Sequence, residues 1–161
     1  MKLSVNILTW NTLKTLKYTI HVLATELALI DSEIIIVDNG STDGCQDIAT
    51  IKNEVNLGIS KGKNQGIDSS KGDYILLLDG DIVPVPNSIT LLLRHMETNP
   101  ECDAIGFYPN KFTRDRYGDQ EAFCHKLDPI VTYNSHCIYY GMYRRKIFDV
   151  VRFDEKFGPG Y

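Results

Sequence analysis

The sequence predicts an α/β domain with three layers, in which helices cover both faces of a mostly parallel, Rossmann-like sheet. Short runs of apolar and β-branched residues alternate along the chain with segments that have the periodicity of amphipathic helices. Two of the runs, 34–37 and 75–78, are apolar at every position, which is typical of strands that are buried on both faces. This alternation predicts parallel strands that are joined by helical crossovers.

The length and composition fit one globular domain of 161 residues, of which 43% are hydrophobic and 24% charged. A net charge of −4 argues against a broad basic surface for nucleic acid. The apolar runs are too short for a transmembrane segment. The four cysteines lack CxxC spacing, so neither a zinc site nor a disulfide scaffold is expected. We therefore expect a cytoplasmic protein, with peripheral attachment to a membrane left open.

The first predicted strand, 2–9, is followed by a helix whose apolar residues recur at intervals of three and four: Leu13, Leu16, Ile20, Leu23, Leu27 and Ile30. A second strand is predicted at 33–38. The Gly-, Ser- and Asp-rich segment 39–44 predicts a turn that leads into a helix through Ile51. A short strand and a loop are expected at 53–58.

A glycine-punctuated helix is predicted at 59–69, followed by a buried strand at 74–78. Asn87 is expected to cap the next helix, and a further strand is predicted at 104–107. The pattern is weaker after these elements and predicts a loop at 111–118, a strand at 132–143 and a short helix at 145–150.

Polar residues follow three of the predicted strands at their carboxyl ends: Thr9-Trp10-Asn11, Asp38-Asn39-Gly40-Ser41 and Asp79-Gly80-Asp81. Open parallel sheets bind their ligands at this edge. Three clusters at one edge therefore predict a binding site, although any one of them alone would be ordinary turn sequence.

The Asp79-Gly80-Asp81 cluster is the sharpest of the three. Residues two apart on an extended segment face the same side, so the two carboxylates are expected to converge, and Gly80 to keep the approach open. Neighbouring carboxylates repel unless one is protonated or a cation lies between them. Oxygen ligands suit Mg²⁺ or Mn²⁺. The alternative is a solvated turn after a buried strand, which is as frequent for these three residues alone.

Other residues near the predicted edge allow two interpretations. Asp38 either accepts hydrogen bonds from a base or ribose or forms an Asx-turn, and we weigh the two equally. Three glycines in and before the helix at 59–69 predict a close approach of its backbone to another group. Lysines near that helix could balance phosphate charge, although a solvated helix face is more frequent. Trp10 suits the core and a nucleoside platform equally, and Arg144-Arg145 either contact a diphosphate or begin a solvated helix.

Five segments together resemble the family-2 glycosyltransferases of the GT-A fold. In order they are LTWN, IIIVDNGSTDG, NLGISKGKNQGI, GDYILLLDGDIVP and YYGMYRRKIFDVVRFDEKF. The resemblance covers nearly the whole chain. It implies one domain, 1–161, with a nucleotide-binding half at 1–107 and a partial acceptor-side half at 108–161.

The resemblance also implies the residues of the site. Asp79 and Asp81 would hold Mn²⁺ or Mg²⁺, with Asp79 also facing the ribose. The residues implied to bind the nucleotide are Thr9, Trp10, Asn11, Asp38, Asn64 and Asp79. The implied reaction moves a sugar, with inversion, from a nucleotide-diphosphate donor, first of all a UDP-sugar, to a saccharide, lipid-linked or protein acceptor. In the family a further acidic pair that includes the base follows the FDE segment, so the base is expected beyond Tyr161 and stays unassigned.

Two alternative functions remain at this point. A nucleotide-sugar-binding domain without turnover would use the same residues. A haloacid-dehalogenase-like phosphatase also has an apolar strand that ends in DxD, but its motif ends the first core strand, whereas Asp79 ends a later one. A dinucleotide-binding domain is disfavoured because LTWNTLK stands where GxGxxG would follow the first strand.

Overall fold

The computed structural model describes residues 1–107, 122–125, 140–156 and 158. The strands of this part of the chain are β1 (Leu3–Thr9), β2 (Ser32–Asp38), β3 (Ile51–Lys52), β4 (Tyr74–Asp79), β5 (Ala104–Phe107), β6 (Ala122–His125) and β7 (Tyr140–Arg144). The helices are α1 (Leu13–Glu26), α2 (Ile59–Ser69) and α3 (Ser88–Thr98), with short 3₁₀ helices at Cys45–Asp47 and Arg145–Asp149. All seven strands belong to one sheet, in the order β3-β2-β1-β4-β7-β5-β6.

The predicted fold class is confirmed, and the structure adds that the sheet is mixed. Strands β1 to β4 run parallel to one another. Strand β7 lies antiparallel between β4 and β5, and β6 pairs antiparallel with β5. Parallel neighbours need a long crossover, usually helical. The sequence between β5 and β7 has no helical periodicity, which agrees with the antiparallel pairing there.

Side chains of β1 and β4 alternate between the two faces of the sheet, and each face is covered. On one face α1 and α3 bury a large core cluster that includes Leu3, Val5, Ile7, Leu16, Leu23, Leu76, Leu78, Ile89, Leu92 and Met96. On the other face α2 and the segment after β7 bury Ile67, Ile75, Leu77, Tyr143 and Phe148. These two cores make the three layers.

The structure corrects three predictions of local structure. The short strand expected at 53–58 lies instead at Ile51–Lys52, as β3. The helix expected after 39–44 is only the 3₁₀ turn Cys45–Asp47, because β3 pairs with the end of β2 and takes the backbone groups that a helix would need. The side chain of Asn87 forms no capping hydrogen bond; its backbone N–H instead donates to Glu26 Oε1 at 2.7 Å. The loop predicted at 111–118 and the first part of the strand at 132–143 lie outside the described residues.

The close approach that the glycines of α2 predict is an approach to β1. A Cβ atom on Gly62 would lie 2.4 Å from Leu8 Cδ1, and one on Gly66 would lie 3.2 Å from the Asn6 side chain. The glycines therefore let α2 pack closely on β1, with its first turns beside the carboxyl end of that strand. This packing accounts for them without a ligand.

Two of the four cysteines have described side chains. Cys102 is disulfide-bonded, whereas Cys45 is a buried free thiol. Spacing along a chain does not show which cysteines the fold brings together. Within the described ranges, the structure has no helix that is both long and apolar enough to cross a membrane.

Candidate functional site

The carboxyl ends of β1, β2 and β4 meet at one edge of the sheet, as predicted. Thr9 is in register with Asp38, and Leu8 is in register with Asp79. Backbone hydrogen bonds continue the ladder past the strand ends, because Gly80 N donates to Leu8 O at 2.7 Å. The three polar clusters are therefore fixed relative to one another by the backbone of the sheet.

Asp38 forms the turn that the sequence allows, whereas its role toward a base or ribose stays a prediction. The residue is 1% exposed, and its Oδ2 accepts a hydrogen bond from Ser41 N at 3.2 Å, which forms the turn. Its Oδ1 is buried and has no hydrogen-bond partner in the described part of the chain. A buried carboxylate oxygen without a partner is costly. This oxygen is therefore available to accept a hydrogen bond from a ligand.

The loop that faces Asp38 is held by Asn39, a member of the second polar cluster to which the sequence assigned no individual role. Asn39 Nδ2 donates to Asn56 Oδ1 at 2.9 Å, and Leu57 N donates to Asn39 Oδ1 at 3.0 Å. Asn53 and Gln65 exchange two further side-chain hydrogen bonds at 2.9 Å. The density of amide residues at 53–65 is the sequence signal from which such a network could have been predicted.

The residues at the end of β1 and directly after it differ in the exposure and the hydrogen bonding of their side chains. The Thr9 hydroxyl is buried and lies 2.7 Å from Thr12 Oγ1, so it is engaged inside the protein. The amide oxygen of Asn11 accepts a hydrogen bond from Thr42 N at 2.8 Å and links the loops after β1 and β2. Trp10 is 54% exposed, so it is not a core residue. Trp10 and Asn11 are both exposed, and the indole of Trp10 is the larger exposed surface.

Asp43 joins the same two loops. Its Oδ2 accepts a hydrogen bond from Leu13 N at 2.8 Å and caps α1, while its Oδ1 accepts one from Cys45 N at 3.1 Å and caps the turn that follows. The hydrogen bond from Leu13 lowers the pKa of Asp43, since it favours the charged form. A local motif does not show this cap, because the capped helix precedes Asp43 by thirty residues.

Asp79 is paired with a lysine that the sequence placed on a solvated face. Lys63 Nζ lies 2.6 Å from Asp79 Oδ1, and the side chains of Lys63 and Asp79 are 2% and 21% exposed. Burial disfavours both charges, so it lowers the pKa of Lys63 and raises that of Asp79, while the attraction within the pair opposes both shifts. One oxygen of Asp79 is thus committed to a protein partner.

Asp81 follows two residues later and is exposed. Burial is the main cause that raises the pKa of Asp79, and the nearby charge of Asp81 acts in the same direction. No cluster of three or more His, Cys, Asp or Glu side chains that could hold a metal occurs in the described ranges. Mg²⁺ is often bound by only one or two carboxylates plus substrate phosphates, so Asp81 with the exposed part of Asp79 fits an ion that arrives with its ligand.

Gly80 has a packing role in place of the predicted open approach. A Cβ atom there would lie 2.5 Å from Thr12 Oγ1 and 2.7 Å from Thr9 Oγ1. The absence of a side chain lets the turn between the two aspartates lie against the start of α1. This contact fixes where Asp81 leaves the sheet.

Asn64 is bonded to the C-terminal segment. Its Nδ2 donates to Phe153 O and to Glu155 Oε1, both at 2.9 Å, and Phe153 N donates to Asn64 Oδ1 at 3.2 Å. An ion pair of 2.9 Å between Arg152 and Asp68 adds a second link between this segment and α2. The implied role of Asn64 toward the nucleotide remains a prediction, but both ends of its amide already have protein partners.

We predict that Asn64→Asp loosens the segment after the last 3₁₀ helix. The variant keeps an oxygen for Phe153 N, loses both donated hydrogen bonds and places a like charge beside Glu155. Hydrogen exchange of the Phe153 amide should become faster. Gln65→Ala, which breaks amide hydrogen bonds on the same helix but only toward Asn53, should leave that exchange unchanged. Equal exchange in both variants would contradict the prediction.

Arg144 does not reach the candidate site, so its interpretation as a diphosphate contact is wrong. It pairs with Tyr74 at the amino end of β4, the opposite edge of the sheet. Its guanidinium donates hydrogen bonds to Met96 O at 2.6 Å and Asn99 O at 3.0 Å, and its Nε to Cys102 O at 2.7 Å. Arginine is well suited to cap carbonyl groups at a helix C-terminus, here that of α3.

Comparison with known proteins gives one family over most of the chain. Residues 4–152 match the family described as Glycosyl transferase family 2. A cholesterol galactosyltransferase from Borreliella burgdorferi is 34% identical over 90 residues, which cover 50% of this chain and 25% of that protein. The curated relatives first matched are covered only to 29% and 25% of their own length.

Solved glycosyltransferases share the fold. Residues 1–349 of S. aureus TarS superpose with a TM-score of 0.70 at 22% identity, over 97% of this chain and 51% of that one. TarS structures in complex with UDP and UDP-GlcNAc also match. The mannosyltransferase PcManGT from Pyrobaculum calidifontis, solved with GDP-Man and Mn²⁺, has a TM-score of 0.57 at 19% identity, over 64% of this chain and 34% of that one.

Proposed function

This chain belongs to glycosyl transferase family 2, and from that premise we propose that it forms the donor side of a metal-dependent, inverting glycosyltransferase that uses a UDP-sugar. The observation that carries the proposal is that Asp38 Oδ1 has no partner among the described residues, at the same sheet edge as Asp79 and Asp81. The family membership also removes the support for a phosphatase. The acceptor is proposed to be a hydroxyl of a saccharide, a lipid-linked group or a protein.

Asp38 is proposed to recognise the nucleotide base. Its free oxygen is an acceptor, and uracil offers an N–H donor on its pairing edge. Because that oxygen is buried, a hydrogen bond to it adds affinity and removes the cost of an unsatisfied group. The exposed indole of Trp10 at the same edge offers a flat surface on which the base or ribose can lie. The complexes of TarS with UDP and UDP-GlcNAc support uridine as the first base to test.

Asp81 and Asp79 are proposed to hold Mn²⁺ or Mg²⁺. When bound, such an ion neutralises the charge that develops on the departing diphosphate. Asp81 is exposed and supplies the carboxylate that is free to bind it, while Asp79 is oriented by Lys63. Support for a divalent ion also comes from the mannosyltransferase that was solved with GDP-Man and Mn²⁺.

An inverting transfer needs a base that takes the proton of the acceptor hydroxyl while the sugar is attacked from the face opposite the diphosphate. The carboxylates of the C-terminal segment have structural partners, since Glu155 accepts a hydrogen bond from Asn64 and Asp154 accepts one from Lys156 N at 3.0 Å. We therefore assign the base to neither of them. The role proposed for the described residues is donor binding.

Calorimetric titration with UDP tests the proposal. We expect UDP to bind in the presence of Mn²⁺ and to bind more weakly once a chelator is added, because the ion links Asp81 to the diphosphate. Equal affinity in both conditions would contradict the metal-dependent part. A preference for GDP over UDP would contradict the choice of base, and no binding of any nucleotide would overturn the proposal. Asp38→Asn, which keeps the size but replaces an acceptor by a donor, should weaken UDP binding.

A further inference from the structure

Lys63 is a buried cation at the donor edge. It lies on α2 directly after Gly62, whose missing side chain brings the helix close to Leu8 of β1. The Lys63 side chain is 2% exposed, and its ammonium group lies 2.6 Å from Asp79 Oδ1. A buried positive charge therefore lies beside the proposed donor site, on the side away from solvent.

This ion pair is not explained by stability alone. Removing two charges from water costs several kcal/mol per ion, and apolar residues of similar volume often replace buried ion pairs without loss of stability. The acidic member of the pair, Asp79, follows directly after four apolar positions of β4, 75–78. A role in ligand binding gives a reason for burying these two groups that stability does not give.

We propose that Lys63 is a positioning residue of the donor site, which holds one oxygen of Asp79 so that the remaining oxygen, together with Asp81, faces the ribose and diphosphate of the donor. This inference rests on the proposed function. Partners that orient a metal-binding or ligand-binding carboxylate affect affinity without touching the ligand. The burial of Lys63 separates it from a phosphate-binding lysine, which would need an exposed ammonium group.

The chain offers a matched control on the same helix. Lys61 is two residues away on α2, is exposed, and is the same residue type. A general effect of positive charge on an anionic donor would appear in Lys61→Met as well as in Lys63→Met. An effect through Asp79 would appear only in Lys63→Met.

The test is a double-mutant cycle on the affinity for UDP with Mn²⁺, measured by calorimetry on wild type, Lys63→Met, Asp79→Asn and the double variant. We expect Lys63→Met to weaken binding by about 10–100-fold, the range found when an orienting partner of a metal ligand is removed. In the Asp79→Asn background the same change should alter affinity by less than about twofold, because the group through which Lys63 acts is already neutral. Lys61→Met should stay within about twofold of wild type.

Each outcome decides the matter. A further loss of affinity in the double variant, relative to Asp79→Asn, would show that Lys63 acts independently of Asp79. An unchanged affinity of Lys63→Met would show that Lys63 is a purely structural residue. Either result overturns the inference. If Lys63→Met alone fails to fold, the comparison of Asp79→Asn with the double variant, which leaves no buried charge unpaired, gives the answer. Failure of the wild type to bind UDP would overturn the proposed function first, and the positioning role with it.

Discussion

Asp81→Ala is expected to lose at least about tenfold in Mn²⁺-dependent affinity for UDP while its melting temperature stays close to that of the wild type. Asp81 is exposed, so its side chain adds little to the core. Its removal takes away a like charge near Asp79 and also an attraction to Lys63, so the two effects on the folded state oppose each other. Calorimetry with and without chelator measures the first effect, and thermal unfolding measures the second.

Glu54→Ala is the matched control for this variant. Glu54 is an exposed carboxylate in the loop before α2, so the variant removes the same charge without touching the two aspartates. Its UDP affinity should match that of the wild type. If Asp81→Ala instead melts many degrees lower and still binds UDP as tightly as before, the cluster after β4 is a structural turn and the metal site is wrong.

Leu77→Ala is expected to have the largest effect on stability, a loss of about 2–5 kcal/mol in the free energy of unfolding. Leu77 is 1% exposed and packs with Ile67, Ile75 and Tyr143 between the sheet and α2. Truncation removes its transfer free energy and leaves a cavity that a close-packed core only partly fills. Denaturant unfolding at equilibrium measures the change.

An exposed leucine serves as the control that distinguishes the effect of burial from the effect of removing a leucine side chain. Leu91 on α3 is 59% exposed, and Leu91→Ala should change the free energy of unfolding by less than about 0.5 kcal/mol. Leu77 is not one of the residues proposed to bind the donor. The Leu77→Ala protein that remains folded should therefore still bind UDP. A loss below about 1 kcal/mol would contradict the packing of α2 on this face.

The location of the candidate site could be predicted from the sequence because it depends on strand direction alone. Helical segments between 2–9, 33–38 and 74–78 predict parallel strands, and parallel strands place Thr9, Asp38 and Asp79 at one edge. The structure confirms that placement. The bounds of α2 were predicted as observed, since its glycines and periodicity are local features.

Some expectations failed where a distant segment competes with a local preference. The turn residues 39–44 favour a following helix, but the edge of β2 offers backbone partners to Ile51, and strand pairing replaces helix formation. Asn87 is the N-cap residue of α3 as predicted, but its side chain forms no capping hydrogen bond, and its backbone amide donates to Glu26 at the end of α1. The partners in both cases come from elsewhere in the fold.

The sequence by itself determined the fold class, the edge where the site lies and the residue types that stand there. Only the tertiary structure decided which of these groups have protein partners: Asp38 keeps one oxygen without a partner in the described part of the chain, whereas Asn64 is bonded to the C-terminal segment. The burial of Lys63 is the clearest case. A lysine is solvated by default, and its burial depends on the rotation of α2 about its own axis, which the contact of Gly62 with Leu8 sets. Periodicity gives the faces of a helix, but the face that meets the sheet is chosen by packing between segments far apart in the chain.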